Sequence, residues 1–158
     1  MQLVEQHVIT RADRRFAAID RAAFASKNLY NAANYALRQS YIFQGVYLSY
    51  PEMHQRMKDH EAYQALPAKV AQQVLRVLDK NWQSCFAALE AWRGDPSKFL
   101  GRPRLPRYKD KQTGRNLLVY TIQALSLPAL RAGRICPSML GITVQTRQST
   151  VQQVRIIP

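Results

Sequence analysis

Acidic residues are missing from the last third of this chain. All ten Asp and Glu lie at or before Asp110, whereas Lys111, Arg115, Arg131, Arg134, Arg147 and Arg155 continue beyond it. A segment without carboxylates cannot supply the oxygen ligands that hold catalytic Mg²⁺, and it can lie against a polyanion. Cysteine is equally scarce. Cys85 and Cys136 form no CxxC pair, which excludes a disulfide framework and leaves both as small packing residues. No run of about 18 apolar residues occurs, so no transmembrane helix is expected. The opening MQLVEQHVIT carries Glu5 and His7 and has no basic leader, so it does not read as a secretory signal and the expected location is cytoplasmic. Walker A, GxGxxG and GxSxG motifs are absent. The stretch HQRMKDHE, with His54, Asp59, His60 and Glu61, lacks the spacing of HExxH and reads as an exposed helix end.

What is present is positive charge on a foldable composition. The chain has 158 residues, 47% of them hydrophobic, and a net charge of +13, enough for one domain or two small subdomains with a core. Such a field concentrates phosphates and speeds encounter with them. A membrane-surface protein would need the cations opposite a strongly apolar face of one helix. Here they are spread over helices, loops and strands, which favours nucleic acid.

Periodicity divides the chain. Residues 2–9 alternate as one strand. From Asp13, placed as an N-cap, to Phe43 the apolar positions Phe16, Ile19, Ala23, Tyr30, Ala33, Leu37 and Tyr41 recur at helical steps up to Gly45, predicting one long helix or two broken near Ser26. Tyr50-Pro51 opens a short helix through Met57, and Leu66-Pro67 opens a stronger one that stops at Gly94. In the latter, Val70, Val74, Val77, Leu78, Phe86 and Leu89 make the apolar side. Opposite them runs a stripe of Lys69, Gln72, Gln73, Arg76, Lys80 and Gln83, with Asp79 at its margin. A solvated face is the ordinary meaning of such a stripe. Solvated faces, however, usually mix Glu with Lys, and Gln and Lys can contact base edges.

The run KFLGRPRLPRYKDKQTGR (98–115) holds seven Lys/Arg against Asp110 alone. Proline and like-charge repulsion predict an extended, exposed linker able to follow a phosphate backbone through Arg102, Arg104, Arg107, Lys109, Lys111 and Arg115. A charged linker that binds nothing is the competing reading. Tyr50 and Tyr108, each near proline, are the best placed tyrosines for stacking on nucleotides. Beyond the run the period is two again: 117–123, 141–147 and 150–157 are predicted strands, the last two spaced as a hairpin about Gln148-Ser149. A strand, then helices, then strands gives an α+β fold whose economical topology is a small β-barrel interrupted after its first strand by a helical insertion.

The succession LYNAANYALRQ (29–39), LPAKVAQQVLRVLDKNWQSCFAAL (66–89), GRPRLPRYKDK (101–111), RNLLVYTIQALS (115–126) and VQQVRIIP (151–158) resembles the N-terminal part of TnpB, the transposon-encoded RNA-guided DNA endonuclease related to type V CRISPR effectors. The resemblance implies an oligonucleotide-binding-type, wedge-like barrel in residues 1–10 and 115–158, a helical recognition insertion in 11–97 and a basic linker in 98–114. It implies guide RNA and target DNA as partners, with the protein reading shape and backbone while base pairing reads sequence. Carried over by local alignment, Tyr50, Lys69, Gln72 and Thr121 fall at or near positions suited to reading the transposon-adjacent motif; Arg76 joins them from the polar stripe. The chain ends about where the family's nuclease domain would start. The catalytic carboxylates and zinc cysteines therefore have no counterpart here, no catalytic or metal-binding residue is expected, and Mg and Zn would belong to the missing domains. A complete, non-catalytic RNA-binding remnant that stabilises or regulates a structured RNA is the alternative. A downstream reading frame with an Asp-bearing strand and paired CxxC motifs would separate the two.

Overall fold

The computed structural model describes all 158 residues. Two long helices dominate it. Helix α1 (Phe16–Gln44) is one unbroken element, the first of the two alternatives: its alanine-rich sequence favours helix, and Ser26 is buried with its hydroxyl donating to the Leu117 carbonyl at 2.7 Å. Its N-cap is Arg15, not Asp13. The Asp13 carboxylate instead accepts the Arg15 backbone N–H and guanidinium in the turn before the helix. Gly45 closes α1 at φ 68°, with its N–H on the Tyr41 carbonyl, a left-handed turn that only glycine enters without strain.

Helix α2 (Tyr50–Met57) starts as the sequence predicts, with Pro51 in its first turn and the Glu52 carboxylate accepting the Ser49 backbone N–H at 2.8 Å and its hydroxyl at 3.0 Å. The short α3 (Glu61–Gln64) is capped by His60, whose ring accepts the Ala62 N–H. Helix α4 (Ala68–Gly94) packs on α1 and on strand β1 (Leu118–Thr121). The shared core is built from Leu29, Ala33 and Leu37 of α1, Val70, Val74, Leu75, Leu78 and Trp82 of α4, and Leu118 and Tyr120 of β1. At one end Tyr41, Tyr47, Trp82 and Phe86 form an aromatic cluster with centroid separations of 5.3–6.0 Å. The Tyr47 hydroxyl bonds Asp79, so burial and then this carboxylate push its ionisation well above the usual range. Asp79, at the margin of the stripe, thus serves the interior.

The β part differs from expectation in pairing. Residues 2–9 form no strand: Leu3, Val4 and Val8 are exposed, and the segment is held through Glu5, which accepts from Thr146 and the Arg147 N–H. The expected hairpin of 141–147 with 150–157 is also absent. Strand β4 (Gln153–Ile156) pairs antiparallel with β1, Tyr120 facing Val154, and β3 (Val144–Gln145) pairs with β2 (Arg134–Ile135). Pairing with β1 places β4 against a strand whose Leu118, Val119 and Tyr120 are buried. The fold is α+β, with two two-stranded sheets and the short helix α5 (Leu127–Arg131) between them. No helix is long and apolar enough to cross a membrane.

Candidate nucleic-acid interface

Residues 101–110 have no regular secondary structure, yet they are not a free linker. They lie along α1 as a strap, held by a row of side chains at helical spacing. Lys27 donates to the Lys111 carbonyl at 2.5 Å. The Asn31 amide donates to the Lys109 carbonyl at 2.8 Å and accepts the Lys109 N–H at 2.9 Å. Asn34 and Arg38 both donate to the Pro106 carbonyl, at 3.0 and 2.8 Å. The steps of four, three and four residues put these groups on one face of α1, spanning about 16 Å of its axis. From α4, Cys85 adds a bond to the Arg104 carbonyl at 3.2 Å. Four carbonyls and the Lys109 N–H of this stretch are thus paired within the protein, while Arg102, Arg104 and Arg107 stay exposed. At its end Asp110 folds back on the N–H groups of Gln112 and Thr113, and Gly114 passes so near that a Cβ there would meet the Asp110 carbonyl oxygen at 2.4 Å.

Two concavities flank the strap. The larger, about 910 Å³, is lined by Arg38 of α1, Arg93 of α4, and Arg102, Arg104 and Arg107 of the strap, with Tyr41, Leu89 and Tyr108 and no carboxylate. None of these five guanidiniums pairs with an acid; Arg15, Lys98 and Arg115 are the only Lys or Arg that do. Arg102 lies over the Trp92 ring at 5.8 Å and Arg38 over the Tyr108 ring at 5.3 Å, contacts that orient the cations without neutralising them. The second concavity, about 700 Å³, lies on the α3 side and includes Lys27, Lys109 and Lys111, Asn28 and Asn31, and His60 and Glu61. Lys27 is 1% exposed, and its ammonium sits 3.7 Å over the Phe24 ring. Burial, then the neighbouring Arg115, lower its ionisation below the usual lysine value.

Of the sequence-predicted residues, Arg102, Arg104 and Arg107 converge on the larger cavity, Lys109 and Lys111 on the smaller, and Tyr108 belongs to both. Arg115 is diverted: its guanidinium makes a bidentate pair with Asp20 at 2.8 and 3.1 Å, so its charge is largely answered within the chain. Arg38, Arg93 and Lys27 were missed. The polar stripe Lys27, Asn31, Asn34, Arg38 inside an apolar helical pattern was the available signal for two of them.

The base-reading candidates assemble elsewhere. Arg76 stacks over the Tyr50 ring at 4.1 Å, and the half-buried Gln72 lies beside the Tyr63 hydroxyl, which also meets His54 at 3.1 Å. Tyr50, Gln72 and Arg76 therefore share one patch between α2 and α4, with Lys69 exposed one turn before Gln72. Thr121 stands apart at the end of β1, opposite Gln153. No group of three or more His, Cys, Asp or Glu is placed to hold a metal ion. No protein-family model, curated protein or solved structure matches the chain.

Proposed function

We propose that this chain is a nucleic-acid-binding module that grips phosphates along the strap and its arginine-lined cavity, without an active site of its own. The observation that carries this reading is the convergence of five unpaired guanidiniums from α1, α4 and the strap on one concavity with no carboxylate. Guanidinium matches phosphate bidentately. Held in place by backbone contacts, the strap loses little further entropy on binding. A protein surface patch would mix signs, and a small anionic metabolite would be served by fewer charges.

Within this reading the chain acts as the N-terminal part of a TnpB-like RNA-guided endonuclease. The helices of residues 11–97 form the recognition insertion, and the β1–β4 ladder belongs to a wedge-like, oligonucleotide-binding-type barrel. Guide RNA, its heteroduplex and target DNA are the partners. The patch of Tyr50, Gln72 and Arg76, with Lys69 beside it, then faces the adjacent motif.

Affinity measured against salt tests the proposal. Neutralising roughly six phosphates gives a slope of log affinity against log salt of about −5 on duplex. Replacing Arg102, Arg104, Arg107 and Lys109 with Gln should weaken binding to all sequences alike and flatten that slope. An affinity indifferent to salt, or a loss confined to one sequence, refutes it.

A further inference from the structure

Tyr108 is the one residue that lines both concavities; it is 46% exposed, with the Arg38 guanidinium 5.3 Å over one face of its ring. On one side of it lie the guanidiniums; on the other lies a pocket of different chemistry. That pocket combines Lys109 and Lys111 of the strap with the exposed Asn28 of α1 and Glu61 of α3. A cavity of about 700 Å³ is within the size range that takes a small organic ligand. Its wall is not built for phosphate alone, because Glu61 repels an anion while its carboxylate and the Asn28 amide suit the donors and acceptors of a base edge.

Resting on the nucleic-acid reading above, we infer that the strap is a single-strand site: the backbone runs along the guanidiniums, a base stacks on Tyr108, and the next nucleotide enters the lysine-lined pocket. A duplex cannot use this arrangement, since its bases are already paired and stacked inside and only its phosphates reach the surface. A cationic groove interrupted by an exposed aromatic ring is the combination by which single strands are held with little regard to sequence. Lys109 and Lys111 then meet the phosphate that leads into the pocket.

The test compares the full 158-residue chain with its Tyr108→Ala and Tyr108→Trp variants by fluorescence anisotropy. The probes are a single strand of about 12 nucleotides, within the usual site size, and a duplex of the same sequence, at one fixed low salt concentration. The single strand should bind more tightly than the duplex. Tyr108→Ala should weaken the single strand roughly 5- to 150-fold and leave the duplex unchanged, while Tyr108→Trp retains single-strand binding. A 2-aminopurine placed mid-strand should lose emission on binding to the wild type and regain it with Tyr108→Ala. Equal affinity for both forms, or an equal loss for both on Tyr108→Ala, overturns the single-strand site and leaves the phosphate-binding reading standing. Absence of binding to either form refutes that reading as well.

Discussion

Replacing Asn34 by Leu should destabilise the protein more than the loss of any other α1 side chain that anchors the strap. Asn34 is fully buried; its Oδ1 accepts the Trp82 indole N–H at 2.9 Å and its Nδ2 donates to the Pro106 carbonyl at 3.0 Å. Leucine keeps the branched outline, but its methyl groups are bulkier than the amide, so some overpacking adds to the lost hydrogen bonds. The indole N–H, itself fully buried, is then left without a partner, at a cost of about 1–3 kcal/mol. The Pro106 carbonyl keeps Arg38 at 2.8 Å, so its part is closer to about 1 kcal/mol. The sum, about 2–4 kcal/mol, is a large share of a typical domain stability, and for this chain length it lowers Tm by roughly 4–16 °C. Urea unfolding followed by far-ultraviolet circular dichroism measures it. Asn31→Leu breaks two bonds as well, but to a strap backbone that water can reach, and should cost less. In a Trp82→Phe background the Asn34→Leu penalty should shrink by about 1 kcal/mol or more, the coupling expected of direct partners. A penalty below about 0.5 kcal/mol, where surface substitutions fall, or one larger for Asn31→Leu, would refute the view that the strap is anchored through the core.

Asp13 is held at about 2, from an ordinary value of 3.8, chiefly by its hydrogen bond with the Arg15 side chain. A lowered carboxylate contributes stability that is complete above its unfolded value and lost as pH falls through the folded one; Asp13→Asn should therefore flatten the fall in Tm between about pH 4 and 2. Lys27 titrates in the opposite sense. Its lowered value means the unfolded chain binds more protons, so wild-type stability relative to Lys27→Met should rise as pH climbs toward 10.5, and an unchanged difference across alkaline melts would refute this. Gly45→Ala meets no atom within 4 Å, so its cost is backbone strain alone, about 1–2 kcal/mol, measurable by urea unfolding. Gln72→Ala should cost on the order of 1–3 kcal/mol at a preferred duplex motif and little elsewhere. Selection of a randomised duplex library by the 158-residue chain and its Gln72→Ala variant measures it, and an unchanged motif profile would make the stripe an ordinary solvated face.

The sequence by itself determined the charge and, though not the short α3 and α5, the three longest helices. Pro51, Pro67, Gly45 and Gly94 mark their ends through local backbone geometry, and apolar spacing within one turn identified Val70, Val74 and Leu78 as core. Local interactions decide such features, so they are legible over a few residues. The loss of acids after Asp110 and the basic run at 98–115 are likewise matters of composition. Only the tertiary structure decided that this run is a docked strap, because its anchors Lys27, Asn31 and Asn34 lie 72 to 84 residues away and carry no shared period with it. Strand partners were hidden for the same reason. β4 follows β3 closely in sequence yet pairs with β1, since the buried face of Leu118 and Tyr120 rewards that contact and a two-residue spacing does not. The diversion of Arg115 to Asp20, 95 residues earlier, and the arrival of Arg38 and Arg93 beside Arg102, Arg104 and Arg107 depend on how α1 and α4 pack together, which no local pattern encodes.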